Sequence, residues 1–372
     1  MTNNPPDNNA DVKEPGKRRS KKVSIFVVIL IVVLAAVVIS SHIQLNYYSI
    51  TPGDAQPVGP LITVPAKDSH KIRGKVLLTD VFVSQLTVLQ MIPTLLSSNA
   101  QVVSGAELLG PYTPPDQLSA QGYVEMAQSQ AAAKAAALSH LGYPVSETNV
   151  GALVFATVPG APASSVLRVG EIVKAVGSTP IATACDFIRA VHSDPPGSTI
   201  KLSVEQSTAT SAGVIAPGKV VVTTVRLARR PPSLPSVTGC SGVSGPSAGY
   251  LGVTIQTQQS FTYPIPVSIA TSDIGGPSAG LAMTLGIMDK LSSGNLTRGR
   301  VVAATGTIDP AGNVGDVGGV AQKTIAVERA GATVFLVPPQ EYRAAMSKDN
   351  RTLHIYPVST LDQALKILKH LG

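Results

Sequence analysis

Two segments of the chain hold side chains that together could break an amide bond. The first is Gly276-Pro277-Ser278-Ala279-Gly280. It follows a strand-like run, Val267–Ala270, and opens a helical pattern with Leu281, Leu285, Met288 and Leu291 on one apolar face. A serine at a helix start lies among free N–H groups and the positive end of the helix dipole. Both stabilise negative charge on the attacking oxygen and on the oxyanion it creates. The flanking glycines, Gly276 included, let a substrate backbone approach closely. Serine at its own pKa is a poor nucleophile and needs an adjacent base. The second segment offers one in Lys323, about one turn into a helix that begins after Gly318-Gly319. Lysine serves as a base where burial lowers its pKa from about 10.4 towards neutrality and frees a lone pair.

Other chemistries find less support. The same five letters recur at Gly245–Gly249, but Tyr250–Ile255 then reads as a β-strand, so Ser247 is expected in a loop. The pattern G-x-S-x-G also matches the nucleophile elbow of Ser-His hydrolases, which leaves that mechanism open. It would have to draw on His354 or His370, the histidines after Ser278. The six histidines are scattered, two cysteines are too few for a zinc site, and there is no G-x-x-x-x-G-K-[ST] loop. No metal or cofactor is expected, and any proteolysis should be independent of ATP. Cys185 and Cys240 are either a disulfide or two free thiols, and spacing does not decide between them.

The elements around these residues begin with an apolar segment. Only 14% of residues are charged and mean hydropathy is +0.24, which turns attention to the lipid phase. Val23–Ile39 is apolar but for Ser24, and with Ser40 and Ser41 it is long enough to span a bilayer. Of the net charge of +7, +3 lies in residues 1–22, directly before this run. Basic residues on that flank predict a cytoplasmic N-terminus and an extracytoplasmic body. A cleaved signal peptide is the alternative. With 4% aromatics and no basic stripe, nucleic acid is not an expected partner.

The rest divides by pattern. Residues 1–22 read as a polar cytoplasmic tail and 23–45 as the anchor. An exported N-terminal region, 46–145, has strand-like runs at Leu61–Val64 and Val76–Leu78 and a helix near Ala120–Leu141, stopped by Gly142 and Pro144. It carries no recognisable chemistry. Residues 146–230 contain Val158–Ile181, with its Pro-Gly-x-Pro-Ala turn and Gly170-Glu171-Ile172, and then Phe187–Glu205. These strings resemble a bacterial PDZ domain. The resemblance implies peptide binding by strand addition, with a carboxylate-binding loop near Val150-Gly151-Ala152-Leu153. That loop departs from the usual glycine between two apolar residues. A proline-rich boundary, 229–235, precedes the last region, 236–372.

In that region Ser278 is followed by Thr305-Gly306-Thr307-Ile308, and then by Gly318-Gly319-Val320-Ala321-Gln322-Lys323, with Lys323 45 positions after Ser278. The order and spacing resemble the peptidase domain of the Lon family. The resemblance implies a Ser278–Lys323 dyad, Thr305 as a hydrogen-bond partner of the lysine, protein or peptide substrates, and a homo-oligomeric ring. Two positions depart from the family: Gly275 stands where an aspartate precedes G-P-S, with Asp273 nearby, and Thr307 replaces an acid. The expected architecture is therefore multidomain α+β: a single transmembrane helix, a PDZ-like β-rich domain and a Lon-type α/β peptidase domain. A catalytically silent peptide-binding scaffold is the alternative from a different class.

Overall fold

The computed structural model describes residues 18–110, 114–232, 234, 239–240, 248–271, 274–292 and 295–371, with the backbone alone for 18–24. Most of the expected tail, the loop residue Ser247 and Asp273 lie outside the described residues.

The chain opens with α1 (Arg18–His42), whose apolar stretch Ile25–His42 has no buried residue. Then come β1 (Gln44–Pro57), β2 (Lys75–Thr87), α2 (Val88–Leu96), β3 (Gln101–Ser104) and α3 (Leu118–His140). A β-rich insert follows: β4 (Ser146–Thr157), β5 (Ile172–Val176), α4 (Ala184–His192), β6 (Thr199–Glu205) and β7 (Val220–Arg226). The remainder is β8 (Val253–Thr262), α5 (Gly280–Leu291), β9 (Val301–Ala304), β10 (Thr307–Ile308), β11 (Val314–Gly315), α6 (Val320–Arg329), β12 (Val334–Val337), β13 (His354–Pro357) and α7 (Leu361–His370).

The main sheet runs β13-β12-β9-β2-β1-β3. Its β13, β12, β9 and β2 pair in parallel, and β2, β1 and β3 pair antiparallel. Successive side chains of a strand point to opposite faces, and both faces here are apolar. Val76, Leu78, Val302, Ala304, Val334 and Leu336 face α3, α5 and α7; Leu77, Ala303, Phe335 and Val337 face α6 and the short helix Tyr342–Met346. Buried on both sides, these strands read as continuous apolar runs rather than alternating ones.

This sheet corrects the expected division of the chain. The segment 46–145 is not a separate exported region, because β1, β2 and β3 share a sheet with the C-terminal strands and α3 packs on α5. Sequence pattern marks where a strand is, but its partner lies some 225 residues away: Val76 sits opposite Val302.

α3 is alanine-rich, so it approaches α5 closely through Ala133, Ala136 and Ala137. It ends as expected at Gly142. The Gly142 N–H donates to the Ser139 carbonyl and the Tyr143 N–H to the Leu138 carbonyl, each at 3.0 Å, with Gly142 left-handed at φ 83°. α5 departs from the expected one-sided helix, since every residue from Gly280 to Asp289 is buried. Truncating a residue such as Leu285 to alanine should cost about 2–5 kcal/mol.

The insert forms its own sheet, β7-β6-β5-β4-β8, over a core that includes Val154, Leu167, Val173, Phe187, Leu202 and Leu251. Cys185 of α4 and Cys240 are joined as a disulfide, which decides the question the sequence left open. The fifth strand, β8, comes from beyond the expected boundary at 236 and pairs with β4 from Val253–Thr157 to Thr262–Ser146. Gly151, Ala152 and Leu153 therefore do not form a loop open to a peptide terminus. They lie within β4, where Ala152 and Leu153 are buried and paired with both β5 and β8. Both edges of β4 are thus paired with strands of the chain itself.

Candidate active site

Ser278 lies in the turn before α5, half-buried, two residues ahead of the first helical residue. Its backbone is held from two sides. On one side Gly276, at φ 89°, donates its N–H to the Gly122 carbonyl of α3 at 2.8 Å, and Ser129 Oγ of α3 donates to the Pro277 carbonyl at 3.0 Å. A residue with a side chain is strained at that φ. On the other side the Ser278 carbonyl accepts from the Gly306 N–H at 3.0 Å and from Thr305 Oγ1 at 3.3 Å. The Gly306 carbonyl in turn accepts the Leu281 N–H at 3.1 Å. The start of α5 is thereby stitched to the segment linking β9 to β10.

Lys323 lies in the first turn of α6 and is 2% exposed, one of the largest fully buried side chains among the described residues. Its Nζ donates to Thr305 Oγ1 at 3.2 Å. Thr305 is itself fully buried, and its N–H donates to the Leu336 carbonyl at 3.0 Å. One threonine hydroxyl thus connects the Ser278 backbone to the Lys323 amine. The four residues expected here, Ser278, Lys323, Thr305 and Gly276, come from three separated segments that meet at one end of the main sheet.

Burial lowers the Lys323 pKa to about 8, against the partial opposition of the Asp80 and Glu341 carboxylates. A charged ammonium loses its hydration in such a place, so the neutral amine is favoured. Asp80 and Glu341 were not foreseen. Asp80 belongs to β2, opposite a break in register between Pro52 and Ala55 of β1. In that break the Asp54 N–H donates to Asp80 Oδ1 at 2.8 Å. Gly53 has to be glycine, because a Cβ there would lie 2.0 Å from Asp80 Oδ1 and 2.9 Å from the Asp80 backbone. Burial raises the Asp80 pKa, while the Asp54 N–H and Lys323 pull it down. Burial and Asp316 raise that of Glu341, and Lys323 lowers it. The available signal for Asp80 was a lone acid within a strand otherwise apolar at Val76–Leu78 and Val81–Val83.

The histidines stand apart from this arrangement. His354 is exposed on the outer strand β13, and His370 is exposed near the end of α7, its Nδ1 2.7 Å from the Lys366 carbonyl. Among the described residues no cluster of three or more His, Cys, Asp or Glu could hold a metal ion. What the site holds is a hydroxyl at a helix start, and a buried amine whose N–H is engaged by a threonine.

Beside Ser278 runs a groove of about 270 Å³ that includes Pro277, Ser129, Phe261, Thr307 and Ile308 in its wall. It lies between α3, β8 and β10.

Residues 244–370 match the Lon protease (S16) C-terminal proteolytic domain. The Lon protease of Azospirillum brasilense is 40% identical over 94 residues, covering 24% of this chain and 11% of that protein. That of Chloroflexus aggregans is 34% identical over 94 residues, with the same coverage. That of Koribacter versatilis is 31% identical over 126 residues, covering 32% of this chain and 15% of that protein. The chain therefore spans only a small part of the length of these relatives. Among solved structures, the PDZ domain of an SdrC-like protein from Listeria monocytogenes is similar over 29% of this chain and 90% of its own, at 18% identity and a TM-score of 0.22. The corresponding domain from Listeria innocua covers 28% and 92%, at 16% identity and a TM-score of 0.20.

Proposed function

We propose, starting from the Lon-type proteolytic domain of residues 244–370, that this chain is a membrane-anchored, ATP-independent serine endopeptidase acting on extracytoplasmic polypeptides. Ser278 is the nucleophile and Lys323 the general base. The observation that carries this reading is a fully buried lysine, its pKa brought down to about 8, joined through one threonine hydroxyl to the serine at the start of α5.

The chemistry follows from that geometry. The neutral Lys323 amine takes the Ser278 Oγ proton as Oγ bonds to the scissile carbonyl carbon. Negative charge moves to the carbonyl oxygen, near the N-terminal end of α5, where N–H groups and the helix dipole favour it. The resulting ammonium gives its proton to the departing amine, leaving an acyl-serine. Water then attacks with Lys323 again taking the proton, and the serine is regenerated. Thr305 keeps the amine turned towards Ser278 by accepting one of its N–H bonds.

The anchor is α1, whose apolar stretch Ile25–His42, 18 residues at about 1.5 Å each, comes close to the roughly 30 Å of a bilayer core. The basic residues before it support a cytoplasmic N-terminus. The Cys185–Cys240 disulfide supports an oxidising compartment for the body. No phosphate-binding loop occurs in the chain, so substrates are segments already extended or unfolded.

The test is hydrolysis of an unstructured polypeptide by the purified full chain without nucleotide, against Ser278→Ala prepared identically. Equal rates would remove the assignment. For the orientation, a reporter that functions only outside the cytoplasm, fused after residue 372, should be active; activity of a cytoplasmic reporter instead would reverse it.

A further inference from the structure

α2 is an unusual surface element. Its sequence, Val-Leu-Gln-Met-Ile-Pro-Thr-Leu-Leu, has no charge and none of its residues is buried. Val88, Leu89, Ile92, Leu95 and Leu96 are 41–81% exposed, and Ile43 and Tyr47, just after α1, are exposed as well. No charged residue occurs between Asp80 and Glu107. A patch of this kind on a water-facing surface marks something that covers it.

Its location identifies the cover. β1 starts two residues after α1 ends, and Gln44 of β1 lies opposite Thr87, the residue that caps α2. The Val88 N–H donates to the Ile43 carbonyl at 3.1 Å. Backbone hydrogen bonding therefore fixes the start of α2 beside the first residue after the apolar stretch Ile25–His42, and α2 packs against α1. If α1 spans a bilayer, α2 begins at its surface.

Some polar groups of α2 are engaged within the helix and its cap. Gln90 Oε1 accepts the Thr87 N–H at 3.1 Å and the Thr87 hydroxyl at 3.2 Å, and Thr94 Oγ1 donates to the Gln90 carbonyl at 2.7 Å. These bonds lower the cost of taking the Gln90 and Thr94 side-chain oxygens out of water, and the Gln90 amide keeps its water where the helix lies at the headgroup level.

We infer that α2 lies in the outer leaflet of the membrane that holds α1. It is an interfacial helix that fastens the peptidase body to the lipid surface at a second point. This rests on the anchored reading of α1. It means that the body does not swing on a tether: the mixed sheet meets the membrane through the antiparallel β1–β2–β3 end.

The chain contains no tryptophan, so a single introduced one reports alone. The full chain is placed in phosphatidylcholine–phosphatidylglycerol vesicles, with or without dibrominated acyl chains, as Ile92→Trp, Leu96→Trp, Leu34→Trp in α1 and Val222→Trp on β7. Variants are used only if their thermal melts match that of the unsubstituted chain. Brominated lipid should quench Leu34→Trp, Ile92→Trp and Leu96→Trp at least about twofold and leave Val222→Trp unchanged. Unquenched Ile92→Trp and Leu96→Trp beside a quenched Leu34→Trp would overturn the inference while sparing the anchor; blue-shifted emission in that case would mark a second copy as the cover. An unquenched Leu34→Trp would overturn the anchor and the inference together.

Discussion

Lys323 Nζ donates to Thr305 Oγ1 at 3.2 Å, and the same hydroxyl donates its own proton to the Ser278 carbonyl at 3.3 Å. Because the threonine proton is committed to that carbonyl, its oxygen is left as an acceptor for the amine. A neutral amine so held spends an N–H on Thr305 and keeps its lone pair free for another direction. On the proposed mechanism that direction is the Ser278 hydroxyl.

Removing either end of the dyad should therefore end turnover. Lys323→Ala and Ser278→Ala should each reduce kcat/KM to background, and the double variant should be no worse, because the two act as one unit. Lys323→Arg should be equally inactive, since guanidinium keeps its proton and offers no lone pair. Thr305→Val should lower kcat by about 10- to 100-fold with little change in KM, in line with other losses of a group that orients a catalytic side chain, and Thr305→Ser should recover much of it. Ser247→Ala and His354→Ala should keep most activity. Peptide hydrolysis by a Lys323→Arg preparation free of wild-type enzyme would sink the dyad, and an inactive His354→Ala would favour a Ser–His mechanism.

The pH profile carries a sign. On the proposed mechanism Lys323 acts only when neutral, so kcat/KM should fall as pH drops through about 8 and level off above it. The Asp80 carboxylate favours the charged amine and raises that midpoint. Asp80→Asn should accordingly move the rise to lower pH. A midpoint that stays in place or climbs in Asp80→Asn would show that the carboxylate does not act on the amine.

Stability, like activity, should rise as pH climbs above about 8. The folded chain holds the Lys323 proton less tightly than the unfolded chain, about 8 against 10.5. The resulting penalty is fully present below pH 8 and fades as pH rises towards 10.5, where the unfolded chain also loses the proton. Lys323→Met removes the charge and keeps much of the volume. At pH 7 it should be more stable, by on the order of 3 kcal/mol at most, with the gain shrinking above pH 8. Melts of the two proteins across pH 6–10 would check this. A destabilised Lys323→Met at pH 7 would contradict the desolvation account.

The β-rich insert cannot be removed cleanly. β8 takes its strand partner from β4, and Gln121 and Gln128 of α3 reach Phe155 and Gln256 on these strands at 3.1 and 3.0 Å. Replacing 146–230 by a short linker should therefore depress cleavage of short peptides and of whole proteins together, and lower the melting temperature. Selective loss of protein cleavage, with peptide hydrolysis intact, would instead assign the insert to substrate delivery.

Local pattern carried much of this protein. The run Ile25–His42, the alanine-rich α3 with its stop at Gly142, and the helix starts at Ser278 and Lys323 were legible because each depends on neighbours a few residues away. So were Ser278, Thr305 and Lys323 as a group, through the order and spacing of their glycine-rich surroundings. Pairing was not legible. That β2 sits beside β9, that β8 closes the edge of β4 at Gly151–Leu153, and that Cys185 meets Cys240 depend on which distant surfaces bury each other best. Asp80 was hidden for the same reason: its place near Lys323 follows from the register of β1 on β2 and the packing of α6 across them. A strand's own residues specify its faces, but its neighbours and the charges they bring are set only when the whole sheet assembles.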